Sequence, residues 1–492
     1  MRALSLLLAP LILGLVALSV PACSNSDEAP STPPASTPLG YEGLGPHPVG
    51  HAIFTLEDPA RSRTLTVQIW YPATDAGRDQ ATAGTALDDL VPDPTDRASL
   101  DGLLAKAPEG CTSRRTRSAA GLDPIAGPLP LVVFSHCNSC VRFSAFSVAE
   151  ALASRGIAVI APDHADDTLF TRLAGDAAPI NDAFLAIRVG DIKATLDAAL
   201  DPAGAALPAA LRGHFNADHL AMMGHSYGGL TTGATLVAEP RIKAGFIMAA
   251  PPAFIGGVTM AAIKQPVFML LAREDNSIGE IGNNTIRGNY KDANPPAWLA
   301  EVSDAGHWSF SDIAGLAPWL VPGCGEGVRQ TDKDVNFSYL ANDTGRSLAS
   351  AYASAFFSLT LLGDESARPY LAAAHLAEVG VSTKLVCRQF VVGAAGACSR
   401  NHAAASPRIL ASGSSLAARS SASEISRRQS AASGRLVNRT RMLHTPSPAP
   451  TTLAVDPISS TSRAAVSQDP TRSAGFCEAR RAAARVRLSS LG

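Results

Sequence analysis

The segment Gly224-His225-Ser226-Tyr227-Gly228 joins a short apolar run, residues 219–223, to a small-residue stretch, 229–237, that reads as a helix. Such a strand-turn-helix unit is the building block of a mainly parallel sheet covered by helices, and it presents the Ser226 hydroxyl on a tight turn. Gly224 and Gly228 lack a Cβ, so the strand can enter the turn and the helix can leave it without side chains colliding at the serine. Alone, the G-x-S-x-G spacing is weak evidence, because glycine and serine are common in this chain.

The rest of the chain repeats the pattern. Runs of four to eight apolar residues at 64–70, 129–134, 157–161, 220–223, 244–249, 267–271 and 298–302 read as strands buried on both faces. Helices are expected between them. Residues 142–155 place Phe143, Phe146, Ala149 and Leu152 on one face and stop at Gly156, and residues 183–200 bury Phe184, Ile187, Ile192 and Leu196. A last helix, 347–362, carries Ala351, Ala355, Phe356 and Leu359. The expected class is α/β, a mainly parallel central sheet with helices on both faces.

With 492 residues, 46% of them hydrophobic, the chain can bury a substantial core. Its net charge of −2 gives no cue for a nucleic-acid partner. That total hides an asymmetry, since the stretch from Arg388 onward holds fifteen arginines, no lysine and four acidic residues. Ala, Ser, Arg and Pro dominate there and no apolar period persists. Residues 388–492 therefore read as a disordered tail, and their Arg-only basicity is also what an out-of-frame reading of GC-rich DNA would produce.

Met1-Arg2 followed by the apolar run 3–20 reads as an export signal over residues 1–22. The junction Val20-Pro21-Ala22-Cys23 resembles the lipobox of bacterial lipoproteins, which makes Cys23 the lipidated residue and a membrane anchor; plain cleavage after Ala22 is the alternative. The expected location is the bacterial cell envelope, or the periplasm or exterior if Cys23 is unmodified. Residues 23–40 have the composition of a flexible tether, leaving 41–387 as the catalytic domain. Export permits disulfides among Cys111, Cys137, Cys140, Cys324, Cys387, Cys398 and Cys477. Cys324 with Cys387 is a first guess, since spacing does not fix connectivity.

A serine nucleophile needs a histidine to take its proton and a carboxylate to hold the imidazole in the right tautomer. In a sheet of this kind they follow later strands, in the order serine, acid, histidine. Asp275 comes just after the run 267–271, and His307 just after the run 298–302. Glu274 is the rival acid. Asp304 reads as a turn or cap residue, and His225 as a packing and hydrogen-bonding neighbour of the nucleophile.

Pro130-Leu131-Val132-Val133-Phe134-Ser135-His136, Ala161-Pro162-Asp163-His164, the serine turn and Gly306-His307-Trp308-Ser309-Phe310-Ser311-Asp312 follow one another as in the α/β-hydrolases. Over residues 43–380 the chain resembles the branch holding bacterial relatives of the platelet-activating-factor acetylhydrolases, predicted dienelactone hydrolases and chlorophyllase-like esterases. The opening segments 45–50 and 65–72 share in that resemblance. It implies hydrolysis of carboxylic esters, small or lipid-like and of short acyl chain, through an acyl-enzyme, with no cofactor or metal. Ser226, His307 and Asp275 would carry it. Animal platelet-activating-factor acetylhydrolases take their acid from the preceding strand end, which here reads Met248-Ala249-Ala250-Pro251; this favours Asp275 and weighs against that substrate. One oxyanion donor would be the Tyr227 amide. The other would be the amide of Asn138, or of Cys137, which stands where the family carries glycine. Phe143, Trp308 and Phe310, with Phe254 and Ile255, are expected pocket liners, and residues 283–294 a mobile rim.

Three other readings compete. Cys137-Asn138-Ser139-Cys140 has the spacing of a thiol oxidoreductase pair. His136, Asp163, His164, Asp166 and Asp167 could form a metal site, against the plainer reading of a polar loop. A non-catalytic surface lipoprotein could also keep the fold.

Overall fold

The computed structural model describes residues 40–375 and 379–384. The expected export signal, Cys23, nearly all of the tether, Cys387 and the tail from 388 lie outside the described residues.

Twelve strands are formed among the described residues: β1 (Val49–Asp58), β2 (Arg63–Pro72), β3 (Ser118–Ala120), β4 (Leu129–Ser135), β5 (Ala158–Pro162), β6 (Phe215–His225), β7 (Ile242–Met248), β8 (Val267–Ala272), β9 (Ala297–Val302), β10 (Glu326–Val328), β11 (Asn336–Ser338) and β12 (Val379–Lys384). Ten of them make one sheet in the order β12-β9-β8-β7-β6-β4-β5-β2-β1-β3. From β9 through β5 all neighbours are parallel, while β2, β1 and β12 join antiparallel. β10 and β11 form a separate hairpin.

The apolar runs become central strands because both of their faces are covered. Alternate side chains divide between two cores. Val132, Phe134, Phe246, Met248, Phe268 and Leu270 face one core, closed by the helices Phe146–Ala153 and Asn342–Leu361. Leu131, Val133, Met222, Ile247 and Met269 face the other, closed by the helices Asp182–Leu200, Tyr227–Ala238 and Gly279–Asp292. Phe246 stacks on Phe268 at 5.0 Å between ring centroids, and Phe356 meets the Trp298 ring edge-on at 5.6 Å.

Six expected strands match within two residues. β6 begins five residues early, because its first stretch, Asn216 to His219, carries a half-exposed polar sequence beyond the core. Phe143 lies ahead of its expected helix, which starts only at Phe146: the preceding turn is committed to Arg142, whose guanidinium and backbone N–H both bind Asp163 at 2.6 Å. Ile187 is exposed rather than buried. Residues 283–292 of the expected rim belong to the helix Gly279–Asp292, where buried Asn283 donates to the Ala272 carbonyl at 3.0 Å. Cys324 is bonded to Cys111, which corrects the guess of Cys387: the two Cα atoms lie 5.7 Å apart across 213 residues of sequence. No helix among the described residues is long and apolar enough to cross a membrane.

Candidate active site

Ser226 stands alone between the end of β6 and the helix Tyr227–Ala238, at φ 55° and ψ −120°. A non-glycine residue held there stores ~1–3 kcal/mol of backbone strain. The turn is pinned by the Ser226 N–H donating to the Met248 carbonyl at 2.9 Å and its carbonyl accepting from Gly229 at 2.7 Å. The flanking glycines are required by close approach. A Cβ on Gly228 would lie 1.8 Å from the Ser135 carbonyl oxygen, and one on Gly224 2.1 Å from that of Gly228. The N-terminus of the helix is thereby pressed against the end of β4, beside the loop that follows it.

Asp275 and His307 come from the loops after β8 and β9. Asp275 is fully buried; its Oδ1 accepts the backbone N–H groups of Ser277 at 3.1 Å and Ile278 at 3.0 Å, and its Oδ2 lies 2.7 Å from His307 Nδ1. A carboxylate only accepts, so Nδ1 carries the imidazole proton and Nε2 is left free to accept another. His225 ties this pair to the serine turn. Its Nε2–H donates to the His307 carbonyl at 2.8 Å, and the two rings lie 5.1 Å apart. Burial, then the neighbouring His307, holds the His225 imidazole down to about 3, so it stays neutral. Trp308 packs edgewise on both rings, at 5.2 Å and 4.8 Å.

Glu274 is turned away from His307. It pairs with Arg329 at 3.0 Å and accepts the Gln330 N–H at 2.8 Å, both beside the β10–β11 hairpin. Asp304 also pairs with Arg329. Of the two neighbouring acids, only Asp275 touches the histidine.

The loop after β4 is organised by His136. Its Nε2 accepts the His164 N–H at 2.9 Å, which makes Nδ1–H the donor to the Cys137 carbonyl at 2.7 Å. In a planar trans peptide the N–H points opposite to the C=O, so the Asn138 N–H is directed away from the His136 ring. Neither that amide nor the Tyr227 amide has an acceptor among the described backbone bonds. Asn138 Nδ2 and the Ser139 N–H both donate to Asp167 Oδ1 at 2.7 Å, which holds Ser139 at φ 55°. Cys137 and Cys140 form a disulfide across this loop, and both are fully buried. Burial withholds the sulfurs from a partner thiol, so the pair serves as a cross-link of the loop.

The five residues of the expected metal cluster already have partners, His136 in the His164 N–H. Asp163 holds Arg142, Asp166 holds Arg63 at 3.2 Å, Asp167 holds Arg188, and His164 Nδ1 meets Asp191 at 3.1 Å. Among the described residues no group of His, Cys, Asp and Glu is arranged to hold a metal. Burial holds the imidazoles of His136 and His164 well below their usual range, so both are neutral members of a polar network. Arg188, Asp191 and Ser135, which complete that network, are not evident from the sequence as functional residues. The available signal is a pair of charges three residues apart on the apolar face of the helix Asp182–Leu200.

Of the expected pocket liners, Phe143 and Phe310 are packed within the core, Trp308 sits against the histidines, and Phe254 is 61% exposed.

Among solved structures, a ferulic acid esterase from Streptomyces cinnamoneus is similar to this chain, with a TM-score of 0.53 and 24% identity over 68% of this chain and 96% of the other. This chain has the α/β-hydrolase fold. Residues 37–183 of this chain also match the family described as platelet-activating factor acetylhydrolase, isoform II. The matched stretch spans β1 to β5 and the loop after β4, and it ends before the serine turn. No match was found among curated proteins. The family match and the fold together support a carboxylic ester hydrolase.

Proposed function

We propose that this α/β-hydrolase is a serine esterase that cleaves short-chain carboxylic esters through an acyl-enzyme. The observation that carries the proposal is the 2.7 Å bond from buried Asp275 to His307 Nδ1, on a histidine tied by His225 to the strained serine turn. In this reading Nε2 of His307 takes the Ser226 proton as Oγ attacks the ester carbonyl, and Asp275 stabilises the imidazolium. The N–H groups of Tyr227 and Asn138 receive the developing oxyanion. His307 then returns the proton to the departing alcohol, and water repeats the sequence on the acyl-serine.

The apolar leader and Cys23 support export to the cell envelope with a lipid anchor at Cys23. The substrate class rests on the family match, and the name of the structural neighbour adds ferulate esters to the series worth testing. A fluorophosphonate probe followed by mass spectrometry is expected to label Ser226. Ser226→Ala is expected to lose both labelling and hydrolysis of nitrophenyl acetate. Full hydrolysis by the Ser226→Ala protein would end the proposal.

A further inference from the structure

Arg188 is fully buried on the helix Asp182–Leu200, and its guanidinium is shared among four other parts of the chain. One nitrogen donates to Ser135 Oγ at 3.1 Å and to the His136 carbonyl, at the end of β4 and the start of its loop. A second binds Asp167 Oδ2, whose other oxygen holds Asn138 Nδ2 and the Ser139 N–H. The third, Nε, donates to Thr231 Oγ1 at 3.0 Å on the helix that begins at Tyr227. The guanidinium carbon lies 4.5 Å from the centre of the Tyr227 ring.

These contacts reach the two segments that carry the free Tyr227 and Asn138 amides. On one side Arg188 grips the loop directly at His136 and through Asp167 at Asn138 and Ser139. On the other it grips the first turns of the serine's helix at Tyr227 and Thr231. We propose that Arg188 is a positioning residue that sets the spacing of the two oxyanion donors, in a loop where Cys137 replaces the usual glycine. The inference rests on the esterase reading above. Net stability does not account for the arrangement, because a buried ion pair generally gains little over apolar residues of the same size. A planar fork with five donors can satisfy all these acceptors at once, and a lysine cannot.

The test uses the full chain carrying Arg188→Lys, which keeps the charge beside Asp167 but loses the fork. Arg188→Met/Asp167→Asn, which removes both charges together, is made alongside it to guard against misfolding. Four quantities are measured: kcat and KM for nitrophenyl acetate, the inhibition constant of an aryl trifluoromethyl ketone, and labelling of Ser226. The ketone accepts Ser226 Oγ at its carbonyl carbon, and the serine proton passes to His307, leaving a hemiketal oxyanion in the hole. The expected result is a fall in kcat of about 10²-fold, the scale of losing one oxyanion donor. KM should stay within about threefold, and ketone affinity should fall in step with kcat/KM. A folded variant that keeps kcat within about threefold of the parent, or loses substrate and ketone affinity equally, would overturn the inference. A parent that is not labelled at Ser226 overturns the esterase reading and this inference together; a labelled parent with an unaffected variant overturns only this one.

Discussion

Replacing Asp275 by Asn tests which of two adjacent acids serves the histidine. Asp275 Oδ1 accepts two backbone N–H groups, from Ser277 and Ile278, and an amide nitrogen cannot do so. The oxygen of the new side-chain amide must therefore stay where Oδ1 is, which turns its NH₂ toward His307 Nδ1 in place of the carboxylate oxygen now 2.7 Å away. Nδ1 then becomes the acceptor and Nε2 carries the proton, the tautomer that cannot take a proton from serine. The expected loss in kcat is about 10⁴-fold, the scale seen when a triad carboxylate becomes an amide, or ~5.5 kcal/mol of transition-state stabilisation. Glu274→Gln is the matched control. Glu274 serves Arg329 and Gln330, and Arg329 keeps Asp304, so kcat should stay within about threefold. Steady-state hydrolysis of nitrophenyl acetate, with thermal melts to show both proteins folded, measures the contrast. If the Asp275→Asn protein kept more than about a tenth of parental activity, or if Glu274→Gln matched its loss, the assignment would be refuted.

Two further predictions concern stability. Glu150 is 2% exposed, and burial pushes its carboxyl from 4.5 up to about 8, partly offset by hydrogen bonds that include the Arg117 N–H at 2.8 Å. The folded chain thus holds this proton more tightly than the unfolded one, so the group's contribution to stability is complete below about 4.5 and is lost as pH rises to about 8. The slope is ~1.4 kcal/mol per pH unit across that window. Urea unfolding of Glu150→Gln between about pH 5 and 8 should show a correspondingly flatter decline, and parallel slopes for variant and parent would contradict the reading. The Cys111–Cys324 bridge spans 213 residues just ahead of the hairpin that engages Glu274. Cys111→Ser should lower unfolding stability by ~3–5 kcal/mol, and a loss under about 1 kcal/mol would show that the bridge constrains little.

The sheet was legible because β4, β5 and β8 are wholly buried and β6, β7 and β9 are buried over most of their length, so their sequences hold continuous apolar runs with no competing helical period. β1 escaped that test. It lies near the sheet edge, and its Ile53, Phe54, Thr55 and Glu57 are only partly buried or exposed. Ser226, Asp275 and His307 could be nominated because each directly follows a recognisable strand, so strand order alone put them at one edge of the sheet. The sequence favours Asp275 over Glu274, because the acid follows a short turn after its strand. What separates them is a hairpin some fifty residues later, whose Arg329 draws Glu274 away. The Arg188 network was harder still, because its members come from β4, the loop after β5 and two helices, and no local spacing links them. The pocket was less legible, since an apolar ring such as Phe143 or Phe310 suits a liner and a core residue alike, and the structure packs both within the core.

Three residues in the right geometry do not by themselves make an active site. Asp191 Oδ2 lies 3.1 Å from His164 Nδ1, and His164 Nε2 lies 2.9 Å from Ser135 Oγ, so besides the proposed triad the chain contains an Asp-His-Ser arrangement that is entirely buried. A general base must be able to hold a positive charge. Asp191 cannot help His164 to do so, because its carboxylate is already matched by Arg61 at 2.9 Å and Arg63 at 2.7 Å. Arg188, Arg63 and Arg61 add to burial in holding the His164 imidazole neutral. Ser135 Oγ also accepts a hydrogen bond from Arg188, so deprotonation would leave it fixed inside the core with no carbonyl to attack. Asp275 differs in the partners of its other oxygen, which are two backbone amides and no arginine. Its charge remains available to an imidazolium at His307. The arginines around His164 commit that arrangement to holding the loop, and no arginine among the Asp275 contacts competes for its charge, which is what the proposed triad requires.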